Sequence, residues 1–124
     1  MISLKPKASI ELFLRLAKQF TKEKGLYLIP RPASIDFMEM YGLSPQDVEI
    51  ILLALSVSDC FDGPEPDNNP AHARYWTVAE FNPMWHGTRI YFKISINIKT
   101  RSCKCLSIKP YRDTWEVHDG TKDL

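Results

Sequence analysis

The chain has 124 residues and a formal net charge of +1, and this length suits a single domain with a modest core. No stretch approaches the roughly 20 apolar residues that a membrane helix needs, and the N-terminus lacks the apolar segment and small-residue cleavage site of a signal peptide. These features argue against a membrane or secreted protein. We expect one cytoplasmic domain over residues 1–124, with a polar tail, 113–124, that frays.

The first predicted helix begins after Ser9, which can serve as its N-cap, and ends at Gly25. Its apolar residues recur at helical spacing. They are Ile10, Phe13, Leu14, Ala17 and Phe20. The short apolar run Leu26–Pro30 follows and is closed by proline, which is typical of an edge strand or an extended connector.

Two further helices are predicted before residue 60. One covers Ser34–Tyr41 and stops at Gly42. The other has an N-cap candidate at Ser44, a proline at its first position and an acidic residue at Asp47. Its apolar stripe consists of Val48, Ile51, Leu52 and Leu55.

The second half of the chain is predicted to form strands. Residues 59–73 contain three prolines and little periodicity, and we interpret them as an irregular loop. Tyr75–Phe81 has strand composition, and a turn over Asn82–Gly87 leads into a final hairpin. Helices followed by an antiparallel meander predict an α+β fold, with N-terminal helices packed on one face of a small twisted antiparallel sheet.

The final hairpin carries the clearest pattern in the chain. In Arg89–Ile98 the even positions are apolar and the odd positions are polar or tyrosine, which is the alternation of a half-buried strand. Its partner is Ser102–Lys109, and a three-residue loop, Lys99–Arg101, sets apolar residues opposite one another, whereas a shift of one residue would reverse every side chain. The resulting apolar pairs are Ile94 with Leu106 and Phe92 with Ile108.

This register places Tyr91 opposite Lys109 on the polar face, with Lys93 opposite Ser107 beside them. Cross-strand neighbours lie about 5 Å apart at Cβ, so a phenol, two ammonium groups and a hydroxyl are expected to converge there. Tyrosine and lysine are also ordinary residues for the exposed face of a strand. The pattern alone therefore leaves a solvated surface as the alternative.

The cysteines Cys60, Cys103 and Cys105 are predicted to be free, partly buried thiols. Three cysteines cannot all pair, and Cys103 and Cys105 would lie on the same side of one strand. No other cysteine or nearby histidine completes a zinc-ligand spacing, so we expect neither a metal nor another cofactor.

Charge is segregated along the chain. Residues 36–67 hold eight acidic side chains and no basic one, whereas residues 84–112 hold seven basic side chains and no acidic one. A polyanion would meet the field of the basic segment rather than the small net charge. The acidic segment has three interpretations: solvated helix faces, a docking surface for a basic protein segment, or a surface that repels RNA.

Several short motifs between residues 41 and 109 occur in an order and spacing that resembles the MqsR family, the toxins of bacterial type II toxin–antitoxin systems. They are Tyr41–Ser44, Ala54–Phe61, Gly63–Asp67, Tyr75–Trp76, Gly87–Ile94 and Cys105–Lys109. The resemblance implies a RelE-like fold and a metal-independent mRNA endoribonuclease in the cytoplasm. The implied partners are mRNA, free or on the ribosome, and a cognate antitoxin that is a DNA-binding helix-turn-helix protein.

The resemblance also assigns Tyr91 and Lys109 to the catalytic site, and these are the two residues that the strand register brings together. The chain departs from the family pattern at two positions. Asp62 stands where a lysine is expected, and Thr77 or Val78 stands where a glutamine is expected.

Cleavage of RNA without a metal needs a base for the 2′-hydroxyl, stabilisation of the charged phosphorane and an acid for the departing 5′-oxygen. We assign the base or positioning role to Tyr91, because nearby ammonium groups favour its phenolate, and phosphate stabilisation to Lys109. Lys93 is a further catalytic candidate. His86, in the turn before the strand, is a candidate general acid at neutral pH, with a solvent-facing side chain as the alternative.

The candidate RNA-binding residues are Arg89, Lys93, Arg101, Arg112 and Trp76. The cations can hold phosphates and Trp76 can stack on a base, with packing in the core or a loop as the alternative. The predicted function is an mRNA endoribonuclease. The other class of function open to this scaffold is a non-catalytic RNA-binding or protein-interaction domain.

Overall fold

The computed structural model describes residues 6–112, so the tail predicted to fray, 113–124, lies outside the described residues. The helices are α1 (Lys7–Lys24), α2 (Pro32–Tyr41) and α3 (Pro45–Leu53), with a short 3-10 turn at Val57–Asp59. The strands are β1 (Leu26–Leu28), β2 (Cys60–Pro66), β3 (Trp76–Phe81), β4 (Met84–Trp85), β5 (Thr88–Asn97) and β6 (Ser102–Pro110). No helix within the described residues is long and apolar enough to cross a membrane.

The three predicted helices are present, but α1 begins earlier than expected. Pro6 occupies its N-cap position without a side-chain cap, and Ser9 lies inside the first turn. Gly25 ends α1, as predicted. The third helix starts as expected, because the Ser44 hydroxyl accepts a hydrogen bond from the Asp47 amide while the Asp47 carboxylate accepts one from the Ser44 amide.

The strand order is β1-β6-β5-β3-β2, with β4 paired to β5 at the side. The expectation of an antiparallel sheet is wrong for β1, which runs parallel to β6. Parallel neighbours require a long crossover, and here the crossover contains all the chain between β1 and β6. A short apolar run carries no signal for its direction, so the first of the two alternatives, an edge strand, is correct but its orientation was not predicted.

Residues 60–66 form the edge strand β2, so the interpretation of this segment as part of an irregular loop is wrong. Its two register shifts against β3 interrupt the apolar alternation that would have revealed it. Pro64 and Pro66 are tolerated because a strand at the edge of a sheet has one side without ladder hydrogen bonds.

The helices pack on one face of the mixed sheet, which confirms the α+β class. The core joins the apolar stripes of α1 and α3 to the even-numbered residues of β5, and Phe13 of α1 lies with its ring centre 6.1 Å from that of Phe81 on β3. The buried even-numbered residues of β5 are Ile90, Phe92, Ile94 and Ile96. We call the opposite face of the sheet the outer face.

The hairpin of β5 and β6 keeps the predicted register at one end only. Tyr91 pairs with Lys109 and Phe92 with Ile108, as predicted, but Ile94 pairs with Cys105 instead of Leu106. The register shifts after Lys93. The connection between the strands has four residues rather than three, and the one-residue difference is compensated by a bulge near Leu106. Both cysteines of β6 can thus face the core while Tyr91 still lies opposite Lys109.

All three cysteines are buried, and we expect their thiols to be unreactive in the folded protein. Burial raises the pKa of Cys103 to about 12 and also raises the pKa of Cys105, so little of either thiol is thiolate near neutral pH. A disulfide reagent such as DTNB should therefore label no thiol of the native protein at mildly alkaline pH and all three after unfolding in guanidinium chloride. Rapid labelling of one or more thiols in the native state would contradict this expectation.

Candidate active site on the outer face

The predicted pair of Tyr91 and Lys109 is present at one end of the outer face. The two residues are cross-strand partners, and the Lys109 Nζ lies 5.1 Å from the centre of the Tyr91 ring. Both side chains are half-buried. The ammonium group therefore lies over the aromatic face in a cation–π contact, where its charge is close to the phenol.

Sequence reasoning missed two aromatic residues here: Phe61, which packs against the Tyr91 ring, and Tyr111, which packs against Phe61. The ring centre of Phe61 lies 6.0 Å from that of Tyr91 and 5.5 Å from that of Tyr111. The Tyr111 amide donates a hydrogen bond of 2.9 Å to the Arg89 carbonyl, which extends the pairing just beyond β6. Phe61 escaped notice because its segment was interpreted as a loop, and Tyr111 because it follows the end of the alternating pattern.

Lys93 lies on the same face as Tyr91, two residues further along β5. Its Nζ is 3.8 Å from the Glu80 Oε2, and both side chains are partly exposed. An ion pair in such a position contributes little, about 0–1 kcal/mol. The Lys93 ammonium can therefore leave Glu80 for a phosphate at small cost.

Arg89 lies two residues before Tyr91 on β5 and shares its face. The Arg89 Nη1 donates a hydrogen bond of 2.7 Å to the Asn82 carbonyl, and the side chain is exposed. Arg112 follows Tyr111 directly and is also exposed. The strand therefore places the Arg89 guanidinium beside the Tyr91–Lys109 pair, and Arg112 is the next cation along the chain after Lys109.

The structure does not bring His86 to this pair. His86 has a φ of 48° in the turn between β4 and β5, and its ring meets the Trp85 ring edge-on with centres 4.5 Å apart. Hydrogen bonds from Ser44 lower the pKa of Asp47, and the nearby charge of His86 lowers it further. The imidazole thus lies near the start of α3, on the side of the sheet that the helices cover. His86 is therefore close to Tyr91 in sequence but on a different face of the sheet.

Arg101 is also placed away from the pair. It lies in the hairpin turn and donates hydrogen bonds of 3.1 and 2.7 Å to the two carboxylate oxygens of Glu23 on α1. This contact holds the pKa of Glu23 below its usual value. Tyr91 is six residues from the other end of β5, or about 20 Å along an extended strand, so Arg101 and Tyr91 lie at opposite ends of the hairpin.

Trp76 lies on the outer face at the hairpin-turn end, where it pairs with Asn97. The Lys104 Nζ is 3.9 Å from the centre of its ring. Trp85, in contrast, packs against the hydrophobic core. Of these two tryptophans, Trp76 lies on the outer face, where a ligand could contact it, and Trp85 does not.

A cavity of about 520 Å³ occupies the middle of the outer face, and its walls carry opposite charges. The acidic lining residues are Asp62, Glu65, Asp67 and Glu80, and the basic ones are Arg31, Lys93 and Lys104. The segments that are separately acidic and basic in the sequence therefore meet here, because β2 and β3 lie beside β5. The outer face is basic at its two ends and mixed in its centre.

The two departures from the family pattern lie on the β2–β3 side of this cavity. Asp62 pairs with Glu80, so a carboxylate stands next to another where the family pattern has a lysine. Val78 lies on the outer face opposite Ser95, whereas Thr77 pairs with Ile96 of the core face. Neither position supplies the amide expected from the resemblance.

Among residues 6–112, no group of three or more histidine, cysteine, aspartate or glutamate side chains is arranged to hold a metal ion. Comparisons of the chain with protein-family models, with curated proteins and with solved structures found no match. The chemistry of the site therefore rests on its own geometry.

Proposed function

We propose that this chain is the toxin of a type II toxin–antitoxin system and cleaves mRNA as an endoribonuclease, with Tyr91 and Lys109 at the scissile phosphate. The supporting observation is the cross-strand pairing that holds the Lys109 ammonium 5.1 Å from the Tyr91 ring centre. A phenol and an ammonium group are the two functions that attack by a 2′-hydroxyl needs most. Arg89 and Arg112 add charge for the flanking phosphates.

In the proposed reaction the Tyr91 phenolate takes the proton of the 2′-hydroxyl, and the 2′-oxygen attacks the adjacent phosphorus. The bond from phosphorus to the 5′-oxygen breaks, which leaves a 2′,3′-cyclic phosphate and a free 5′-hydroxyl. Lys109 stabilises the charge on the phosphorane, and Lys93 can join it on release from Glu80. This scheme requires no metal ion.

The departing 5′-oxygen needs a proton, and the contacts of His86 are with Trp85 and with Asp47 of α3, not with Tyr91 or Lys109. In the proposal this proton comes from the Lys109 or Lys93 ammonium or from water.

The proposed partners are mRNA, free or on the ribosome, and a cognate antitoxin that is a helix-turn-helix DNA-binding protein. Four acidic side chains of the segment 36–67 belong to α2 and α3, away from the outer face. Asp36 and Glu39 of α2 are exposed, whereas Glu49 accepts a hydrogen bond of 3.0 Å from the Leu26 amide. A basic antitoxin segment would therefore meet α2.

A non-catalytic RNA-binding or protein-interaction domain is the second candidate. It is favoured by the packing of Tyr91 against Phe61 and by the contact between Lys93 and Glu80, because both are contacts that a purely structural role would also produce. The two candidates differ in whether RNA is cut.

The test is induction of the wild-type chain and of Lys109→Ala in bacteria, followed by growth curves and mapping of RNA 5′ ends. We expect growth arrest and new 5′ ends with the wild type and neither with Lys109→Ala. Lys7→Ala, which changes an exposed lysine of α1, is the matched control and should behave as wild type. If the wild type leaves growth and RNA intact, the enzyme proposal fails and the binding domain is favoured.

A further inference from the structure

Three aromatic residues and two lysines lie at the end of the outer face remote from Tyr91. We call them the aromatic platform: Tyr27, Tyr75, Trp76, Lys99 and Lys104. Tyr27 and Lys104 are strand partners on β1 and β6, Trp76 begins β3, and Lys99 lies in the hairpin turn. Four separate parts of the chain thus converge on this one surface.

The lysines of the platform lie against its rings. The Lys104 Nζ is 3.9 Å from the Trp76 ring centre, and the Lys99 Nζ is 5.2 Å from that of Tyr75, which Arg74 approaches at 5.6 Å. Tyr27 is 64% exposed and Tyr75 43% exposed. Both rings therefore have surface that a ligand on this face could contact.

Rings and cations in alternation are what a single-stranded nucleic acid binds, since bases stack on the rings and phosphates pair with the cations. An acidic peptide would satisfy the lysines but would leave the ring faces uncovered. We propose that the aromatic platform is a second RNA-binding surface, which holds the single strand to one side of the scissile phosphate. This inference rests on the proposed function, because it assigns the platform to the same RNA.

The charge of the cavity defines the path of the strand between the two ends. Asp62, Glu65 and Asp67 lie on the β2 side and repel phosphates, whereas Lys104 and Lys109 lie on β6. The RNA backbone therefore follows β6 over about 17 Å, from Lys109 to Lys104.

The test measures binding of a fully 2′-O-methylated oligonucleotide of about 12 nucleotides by fluorescence anisotropy. This probe lacks the free 2′-hydroxyl that cleavage needs, so binding is measured without reaction. Tyr75→Ala and Tyr27→Ala should each weaken binding about tenfold, the loss expected for one stacked base. Tyr75→Phe should retain the wild-type affinity because it retains the ring.

Lys104→Gln should lower the slope of log affinity against log salt by about 0.7, the value for one phosphate contact on a single strand. The matched controls are Tyr41→Ala on α2 and Arg15→Gln on α1, which alter exposed residues of helices on the other side of the sheet. Both controls should bind as wild type. Melting curves establish that every variant is folded.

Three outcomes are informative. Weaker binding by the tyrosine variants, with unchanged controls, supports the platform. Wild-type binding by Tyr75→Ala, Tyr27→Ala and Lys104→Gln overturns it, while RNA cleavage by the wild type would leave the proposed function intact. Absence of binding by the wild type, together with capture of a polyglutamate peptide that depends on Lys99 and Lys104, also overturns the platform in favour of an acidic protein partner.

Discussion

Tyr91→Phe is expected to lower the rate of RNA cleavage by about 10²-fold or more, the usual contribution of a positioned general base. Phenylalanine keeps the ring that packs against Phe61 and lies beneath the Lys109 ammonium, so the fold and the cation–π contact should survive. Only the hydroxyl is lost. The measurement is the initial rate of cleavage of a fluorescent oligoribonucleotide by purified protein.

Lys109 provides the companion series for this experiment. Lys109→Ala should lose a similar factor, whereas Lys109→Arg should retain part of the activity because it keeps a cation opposite Tyr91. Lys7→Ala is the control for the loss of a lysine. Cleavage by Tyr91→Phe at the wild-type rate would show that the phenol is not the base, even if Lys109 proves essential.

Gly63→Ala is expected to destabilise the fold by about 3 kcal/mol or more. Gly63 has a φ of 83°, which an L-residue adopts only with strain, and a Cβ built there would lie 2.6 Å from the Val78 carbonyl oxygen and 3.1 Å from the Ala79 Cα. These are backbone atoms of β3, which cannot move out of the way by changing rotamer as a side chain can. β2 would have to separate from β3. Urea unfolding followed by circular dichroism measures the loss.

Gly42→Ala is the matched control, because it isolates the backbone strain. Gly42 ends α2 with a φ of 65°, but no atom lies within 4 Å of the Cβ that alanine would add. The expected loss is therefore about 1–2 kcal/mol, the cost of the left-handed conformation alone. Equal losses for the two variants would mean that β2 accommodates the methyl group and that its contact with β3 is looser than described.

Sequence reasoning was most accurate where burial selects one face of a strand. The alternation in β5 gave the pairing of Tyr91 with Lys109, because a slip of one residue there would bury polar side chains. The same reasoning failed at Ile94, since an irregularity in the ladder lets both Cys105 and Ile108 face the core although one is odd and the other even. A fixed period of two cannot detect such a shift.

The candidate site was only partly predictable for a similar reason. Tyr91, Lys109, Lys93 and Arg89 share one strand pair, and local pattern was enough to group them. His86 and Arg101 are close to that pair in sequence, but a turn sends each toward a helix. The acidic lining of the cavity comes from β2 and β3, and its position beside Lys93 depends on strand order, which no local pattern encodes.

The strands at the two edges of the sheet have a consequence for solubility. β1 has three residues, and β2 carries Pro64 and Pro66, which have no amide hydrogen to offer to another strand. Asp62 and Glu65 add negative charge along β2, so copies of this edge repel one another. Edge-to-edge pairing between molecules, the first step toward ordered aggregates, is thereby disfavoured at both edge strands of the sheet.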